Sequence, residues 1–357
     1  MFLIFYSGFG LIHSSQDNLV LPTEETTLRG SFGFYKGTLD MSLVKTITFS
    51  RDAPVFYDES WNANLADTND IKGYRIGYDV IIVGKQIYAN QRCSYMFAGH
   101  NSYEAPLWSN LVAINGLNLL DTSLVENMSL MFAFSGVYEL EGIEEWNVSN
   151  VKSFAGMFQG NSNTGDVKLG YVNVGGWDTS SAENMSHVFY GCSKMKYIPI
   201  ENWDVSRVKT FSHMFADCYD LESIDISKWE TLCAESFDGI FNDCRSLTKI
   251  NVGGLFTSKC KQFSQMFEAC SELEEIIGLE NWDVSNACYY SFSETFHGCS
   301  KLKNANIGNW RVAPDNTARM FKGCRGLRIV DISGLDLSNT NTYEMFANCS
   351  EQLKIIE

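Results

Sequence analysis

The residues that could carry acid–base, nucleophilic or metal chemistry in this 357-residue chain are five histidines, eleven cysteines and a large set of carboxylates. His13, His100, His187, His213 and His297 are spread along the chain, and none stands in a His-Glu-x-x-His frame. No Gly-x-Ser-x-Gly elbow or P-loop occurs, so the sequence signatures of zinc hydrolysis, serine acylation and nucleotide-phosphate binding are absent. The carboxylates fall singly, and no pair can be assigned from sequence to the spacing a glycosidase needs. There is no Cys-x-x-Cys pair and the cysteine count is odd, so neither a zinc site nor a closed disulfide framework is indicated. These absences predict a non-enzymatic protein with no catalytic residues, no metal site and no cofactor.

The cysteines do have an order. Cys192, Cys218, Cys244, Cys270, Cys299, Cys324 and Cys349 each follow a phenylalanine by three residues, as in Met214-Phe215-x-x-Cys218-x-x-Leu221 and Met266-Phe267-x-x-Cys270-x-x-Leu273. The phenylalanines are Phe97, Phe132, Phe158, Phe189, Phe215, Phe241, Phe267, Phe296, Phe321 and Phe346, most of them 25 or 26 residues apart. A fixed period of this length marks a solenoid, in which each turn is too small to bury its own apolar face and the stack shares one core. Cys260 takes a second slot, held elsewhere by Val125, Val151, Ala182 and Val208. The cysteines therefore read as small, buried, reduced side chains.

One repeat, residues 203–228, predicts the elements of all. Val208, Phe211, Met214 and Phe215 fall at i, i+3, i+6 and i+7, the spacing of one face of a short helix. Cys218, Leu221, Ile224 and Ile226 follow at the Cys-x-x-Leu-x-x-Ile-x-Ile spacing, whose last pair alternates as in a short strand. A large apolar residue then marks a turn: Leu120, Trp146, Trp177, Trp203, Trp229, Phe256, Trp282, Trp310 and Leu335. Asp-x-Ser or a relative comes next, as in Asp178-Thr-Ser180 and Asp204-Val-Ser206, and reads as a turn with a helix N-cap. The expected fold is an α/β repeat solenoid, a right-handed, leucine-rich-repeat-like stack of short parallel strands and short helices. The wider helical side should make the strand side concave.

The organisation expected is an N-terminal attachment segment over 1–45, a β-rich lead-in or cap over 46–92, and a solenoid of about ten repeats over 93–357, the first degenerate. Met1 to Ile12 is apolar but has no basic residue before it and is interrupted by Gly8 and Gly10, so it makes no convincing signal peptide. No interior run reaches the roughly 18 apolar residues of a transmembrane helix. A net charge of −16 repels phosphate backbones and anionic lipid, which argues against nucleic-acid partners. The strand-like end at Ile355-Ile356-Glu357 would leave core and strand edge bare, so a neighbouring chain is expected to cover it, possible homo-oligomers included.

The pattern Trp-Asp-Val-Ser-x-Val-x-x-Phe-x-x-Met-Phe-x-x-Cys-x-x-Leu-x-x-Ile-x-Ile, written in full at Trp203 to Ile226, resembles the BspA-like leucine-rich repeats of bacterial surface proteins, which also occur in phage proteins. The match covers roughly residues 115–357. The resemblance implies extracellular recognition, by adhesion to a host protein or glycan or by attachment of a virion, and no catalysis. The alternative is a structural virion subunit whose solenoid binds neighbouring chains. Two sets of residues are candidate contacts. Asp225, Asn251, Asn306 and Asp331 occupy the middle of the Ile-x-Ile strands and should point outward with Pro199 and Ile277. Asn161, Asn163 and Asp166 lie in an insertion that lengthens one repeat, where solenoids often place binding loops.

Overall fold

A computed structural model of the protein describes residues 35–64, 70–99, 107–160, 168–288 and 290–357. The attachment segment lies mostly outside these, as does the inserted loop with Asn161, Asn163 and Asp166. The first described unit is a sheet built on alternating apolar residues. It contains β1 (Thr46–Ser50), β2 (Glu59–Asn62), β3 (Ile71–Ile76) and β4 (Asp79–Gly84), and a short β5 (Ile87–Tyr88) follows. Ile47 and Phe49 of β1 and Val80 and Ile82 of β4 are buried on one face. The order β2-β3-β4-β1-β6-β8 continues directly into the repeats through β6 (Ala113–Asn115) and β8 (Glu139–Leu140), while β7 (Leu120–Asp121) pairs with β5. From β4 through β8 this sheet is parallel, whereas β2 and β3 are antiparallel. Gly73 permits this cap, because a Cβ there would fall 2.1 Å from the Trp61 ring.

Successive repeats then stack in parallel. Arg92, Asn127, Ser153, Asn184, Thr210, Ser236 and Gln262 bridge one to the next along one edge. On another edge lie β9 (Lys249–Asn251), β10 (Glu275–Ile277), β11 (Asn304–Asn306), β12 (Ile329–Asp331) and β13 (Lys354–Ile356). Their pairings, β9 with β10 and β11 with β12 and β13, are all parallel. The ten repeat phenylalanines form one column, with neighbouring ring centroids 5.2–5.9 Å apart. Aromatic pairs at such distances add about 0.5–1.5 kcal/mol each beyond the area they bury. A shorter column of Trp146, Trp177 and Trp203 runs beside it with centroids 6.5 and 6.3 Å apart.

The expected short helices do not form: the described residues contain four 3-10 turns of three residues and no α-helix. The Phe211 to Cys218 segment shows why. The N–H groups of Phe211, His213, Phe215 and Asp217 leave the repeat and donate to the carbonyls of Ser236, Asp238, Ile240 and Asn242 in the next, at 2.8–3.0 Å. The N–H groups between them, on Met214, Ala216 and Cys218, turn back to the third residue before at 3.0–3.2 Å. Alternation of this kind needs left-handed residues, and His213 and Asp217 have φ of 54° and 60°. Half of the backbone donors thus tie one rung to the next, which an α-helix would have kept to itself.

At the start of the stack, the Trp108 indole and backbone N–H donate to the Met96 and Ala98 carbonyls, at 2.9 and 3.1 Å. These bonds close the first rung from the cap side.

Candidate functional site

Each rung presents a short strand, a turn and the tight-turn segment, and each surface carries a different chemistry. On the strand face, Asp225, Asn251 and Asn306 are exposed and Asp331 is half-buried. Pro199, expected beside them, is buried. Three of the four are also committed to the backbone. Asp225 Oδ1 accepts from Ser227 N–H and hydroxyl at 3.0 and 2.7 Å, Asp331 Oδ1 does the same for Ser333 at 3.0 and 2.6 Å, and Asn251 Oδ1 accepts from Gly253 N–H at 3.0 Å. The Ser227 and Ser333 bonds hold the Asp225 and Asp331 carboxyls below the ordinary aspartate range. Each aspartate keeps its second oxygen for other donors.

Sequence reasoning missed the aromatic members of this face. Tyr171 and Tyr197 occupy matching positions on consecutive rungs and are 56% and 40% exposed. The Tyr197 hydroxyl donates to Glu201 at 2.9 Å, a bond that raises its pKa. Both stand six residues before a column tryptophan, Trp177 and Trp203, and that recurrence is the sequence signal that could have found them. Further along the same face, Lys303, Asn304, Arg328 and Ile329 line an open groove of about 750 Å³. Ion pairs such as Lys196 with Glu222 at 2.8 Å and Lys249 with Glu275 at 2.7 Å join adjacent rungs there.

At six of the turns, Asp-x-Ser or Asn-x-Ser caps the backbone. Ser123, Ser149, Ser180, Ser206, Ser285 and Ser338 donate their N–H groups to Asp121, Asn147, Asp178, Asp204, Asp283 and Asp336 at 2.9–3.1 Å. The column of large apolar residues before these turns contains Leu255 and not Phe256. Leu255 is buried, whereas Phe256 takes the Asp position and is 50% exposed.

The cysteine column does more than fill space. Cys192, Cys218, Cys244, Cys270, Cys299, Cys324 and Cys349 each donate S–H to the carbonyl of the Phe one rung back, at 3.0–3.2 Å. Ser135, which stands in the same slot, also donates to a Phe carbonyl, that of Phe132, at 2.8 Å. Burial raises the pKa of all seven thiols, which keeps them protonated and able to donate. All eleven cysteines are free thiols.

On the tight-turn surface, Glu268, Glu294 and His297 bring one potential ligand atom each within 4.8 Å of one another. Both carboxylates already have partners. His297 Nδ1 is 3.0 Å from Glu268, Asn242 donates to Glu268 at 2.9 Å, and Arg319 and Gln265 each reach Glu294 at 3.1 Å. The cluster is therefore a satisfied polar network linking four rungs. His187 and His213 stack nearby in consecutive rungs with centroids 5.2 Å apart, and burial together with His213 lowers the His187 pKa. No helix in the described residues is long and apolar enough to cross a membrane.

Parallel rungs, a shared aromatic column and fixed rows of outward side chains define a repeat protein of stacked parallel rungs. The family described as "Mycoplasma protein of unknown function, DUF285" matches residues 91–168, 166–277 and 236–357, and the chain belongs to that family. Among solved structures it is similar to a leucine rich cell surface protein from Faecalibacterium prausnitzii, with 15% identity, 96% of this chain and 94% of that one covered, and a TM-score of 0.31. It is similar also to a leucine-rich repeat protein from Bacteroides ovatus, with 13% identity, coverage of 88% and 92%, and a TM-score of 0.23. A leucine-rich repeat protein from Eubacterium ventriosum gives 13% identity, coverage of 82% and 95%, and a TM-score of 0.24. No curated protein matches the chain.

Proposed function

We propose that the protein is a non-enzymatic recognition solenoid, displayed on a cell or virion surface, that binds a protein or glycan through its strand face. The observation that carries this reading is the row of exposed Tyr171, Tyr197, Asp225, Asn251 and Asn306 on rungs whose backbones are tied to one another. Rigid display lowers the ordering cost of binding, and tyrosine supplies a large contact area with few rotatable bonds. Amide and carboxylate groups beside aromatic faces suit sugar hydroxyls and ring C–H groups, and equally the polar rim of a protein interface.

The test is a screen of labelled full-length protein against glycans and extracellular matrix proteins, repeated with a Tyr171→Ala/Tyr197→Ala double variant. A captured ligand should bind the variant at least about tenfold more weakly, a loss of about 1.4 kcal/mol, with an unchanged melting temperature. Binding that survives this variant and Asp225→Asn/Asn306→Ala as well would place recognition elsewhere and overturn the reading.

A further inference from the structure

One end of the strand face inverts the charge of the chain. Residues 301–330 hold seven of the 27 lysines and arginines and one of the 43 aspartates and glutamates, in a protein of net charge −16. Two of the seven are engaged on the tight-turn surface, where Arg319 pairs with Glu294 and Glu344, and Lys322 with Glu344. Three others, Lys301, Lys303 and Arg328, line the open groove of about 750 Å³, whose one carboxylate is Glu274.

Two rows of the stack create this groove. In the row four residues after the repeat Cys, Lys196 pairs with Glu222 at 2.8 Å and Lys303 with Glu274 at 2.5 Å, each across neighbouring rungs. Arg328 follows Lys303 in that row, its backbone N–H donating to the Lys303 carbonyl at 3.0 Å. Two cations thus stand on consecutive rungs, and only the first has a carboxylate. Arg328 donates to the Ser350 hydroxyl at 2.6 Å and forms no ion pair among the described residues. Like charges side by side in a sheet are unfavourable until a counter-charge arrives. In the row two residues after the Cys, Lys194 pairs with Asp220 at 3.6 Å and Lys301 with Glu272 at 2.5 Å, and the next member is Gly326. A Cβ on Gly326 would fall 2.9 Å from the Ser300 carbonyl oxygen and 3.0 Å from the Lys301 carbonyl carbon. The backbone itself therefore keeps this part of the groove clear of a side chain.

We propose that the groove binds a sulfate or carboxylate group of an acidic oligosaccharide, held by Arg328 with Lys301 and Lys303 beside it. The guanidinium fork matches the geometry of such an oxyanion, and a basic spot on an acidic surface concentrates anions there. Asn304 stands in the row that Tyr197 occupies earlier, and its exposed amide can donate to and accept from sugar hydroxyls. Ile329 is the one hydrophobic residue of the lining, too little for the apolar centre of a protein interface. The strands β11, β12 and β13 pair with one another, so an extended peptide would find no open ladder in the groove. The proposal rests on the strand face being the binding face, and it assigns the anionic part of the ligand to rungs away from Tyr171 and Tyr197.

The test titrates a heparin-derived tetrasaccharide into the full chain by calorimetry, with a Kd expected on the order of 10–100 μM. Arg328→Gln and Lys303→Gln should each weaken binding about fivefold or more, the first with an unchanged melting temperature. Lys209→Gln makes the same change of charge at an exposed pair with Glu183 and should leave binding unchanged, as should Tyr171→Ala/Tyr197→Ala. Absence of binding overturns the proposal, and so does undiminished affinity in Arg328→Gln or an equal loss in Lys209→Gln. An acidic peptide, N-acetyl-tetraglutamate amide, binding as tightly as the tetrasaccharide overturns the assignment to a glycan. If the tetrasaccharide fails while another ligand is captured through the tyrosines, the groove falls and the strand-face reading stands.

Discussion

Substitution of Cys244 separates two readings of the cysteine column. Its thiol is fully buried and donates to the Phe215 carbonyl at 3.1 Å, while that carbonyl also accepts the Cys218 N–H at 3.2 Å. Cys244→Ala removes a sulfur of about 20–25 Å³, and at about 24 cal/mol per Å³ the cavity costs about 0.5 kcal/mol. Loss of a methylene-sized apolar group adds about 0.8 kcal/mol. The thiol hydrogen bond adds about 0.5–1 kcal/mol. The sum is about 2 kcal/mol, and the Cys218 bond keeps the carbonyl from being orphaned. Cys244→Ser is the discriminating variant. A serine hydroxyl can still donate to Phe215, so Ser should be as stable as Ala or more so. If the slot only wanted a small apolar group, the buried hydroxyl would cost about 1–3 kcal/mol more than Ala. Urea unfolding of the three proteins decides the matter, and a serine variant clearly less stable than the alanine variant refutes the role of the donor.

Thiol titration of the native protein should modify exposed Cys288 first, while the eight buried cysteines react only on unfolding; rapid native labelling of Cys218 would contradict the packed column. Gly278→Ala should destabilise by about 3 kcal/mol or more, read by thermal melting, because its φ is 94° and a Cβ would lie 2.2 Å from the Gly253 Cα. The lowered His187 pKa means the folded state disfavours its proton. Stability is therefore present above the unfolded histidine value, about 6.5, and falls as pH drops through it toward the folded value; a melting temperature unchanged between pH 7 and 5, or the same drop in His187→Gln, counts against this. The same sign governs Asp225 and Asp331, whose contribution is held above the ordinary aspartate range and lost below it, so Asp225→Asn/Asp331→Asn should flatten the acid limb of a pH–melting curve.

The period, the shared core and the slots of Phe, Cys, Leu and Ile are legible in the sequence because each rung repeats the same burial problem. The tight turns are not, since Phe211, Met214 and Phe215 have a spacing that also fits a helical face. The signal that distinguishes them is present in the column of residues two before and two after the repeat Phe. Gly156 and Gly239 occupy the first, and Gly191, Gly298 and Gly323 the second, with Asp217, Asp243 and Asn348 beside them. Glycine, aspartate and asparagine recurring at one slot mark positive φ, and a helix interior would not collect them. Phe256 misleads for another reason. Exposed on a turn, it is the larger apolar neighbour of Leu255, and size alone selects the wrong one of the two. The strand-face residues were read as outward but not as caps, although their partners Ser227, Gly253 and Ser333 lie two residues on, the same spacing as in the Asp-x-Ser turns.

In the tight-turn segment the bonds between rungs run one way, from an N–H in one repeat to a carbonyl in the next, whereas just before that segment and on the strand side others run back, as Lys209 N–H donates to Glu183 and Glu222 N–H to Lys196. The stack is thus a polar polymer with a head and a tail. A duplicated rung inserted between any two others meets on each side the same donors and acceptors that its neighbours already meet, with no bond reversed. Gain or loss of whole rungs in this family can therefore change the length of the display without renegotiating its backbone, while the direction of reading stays fixed.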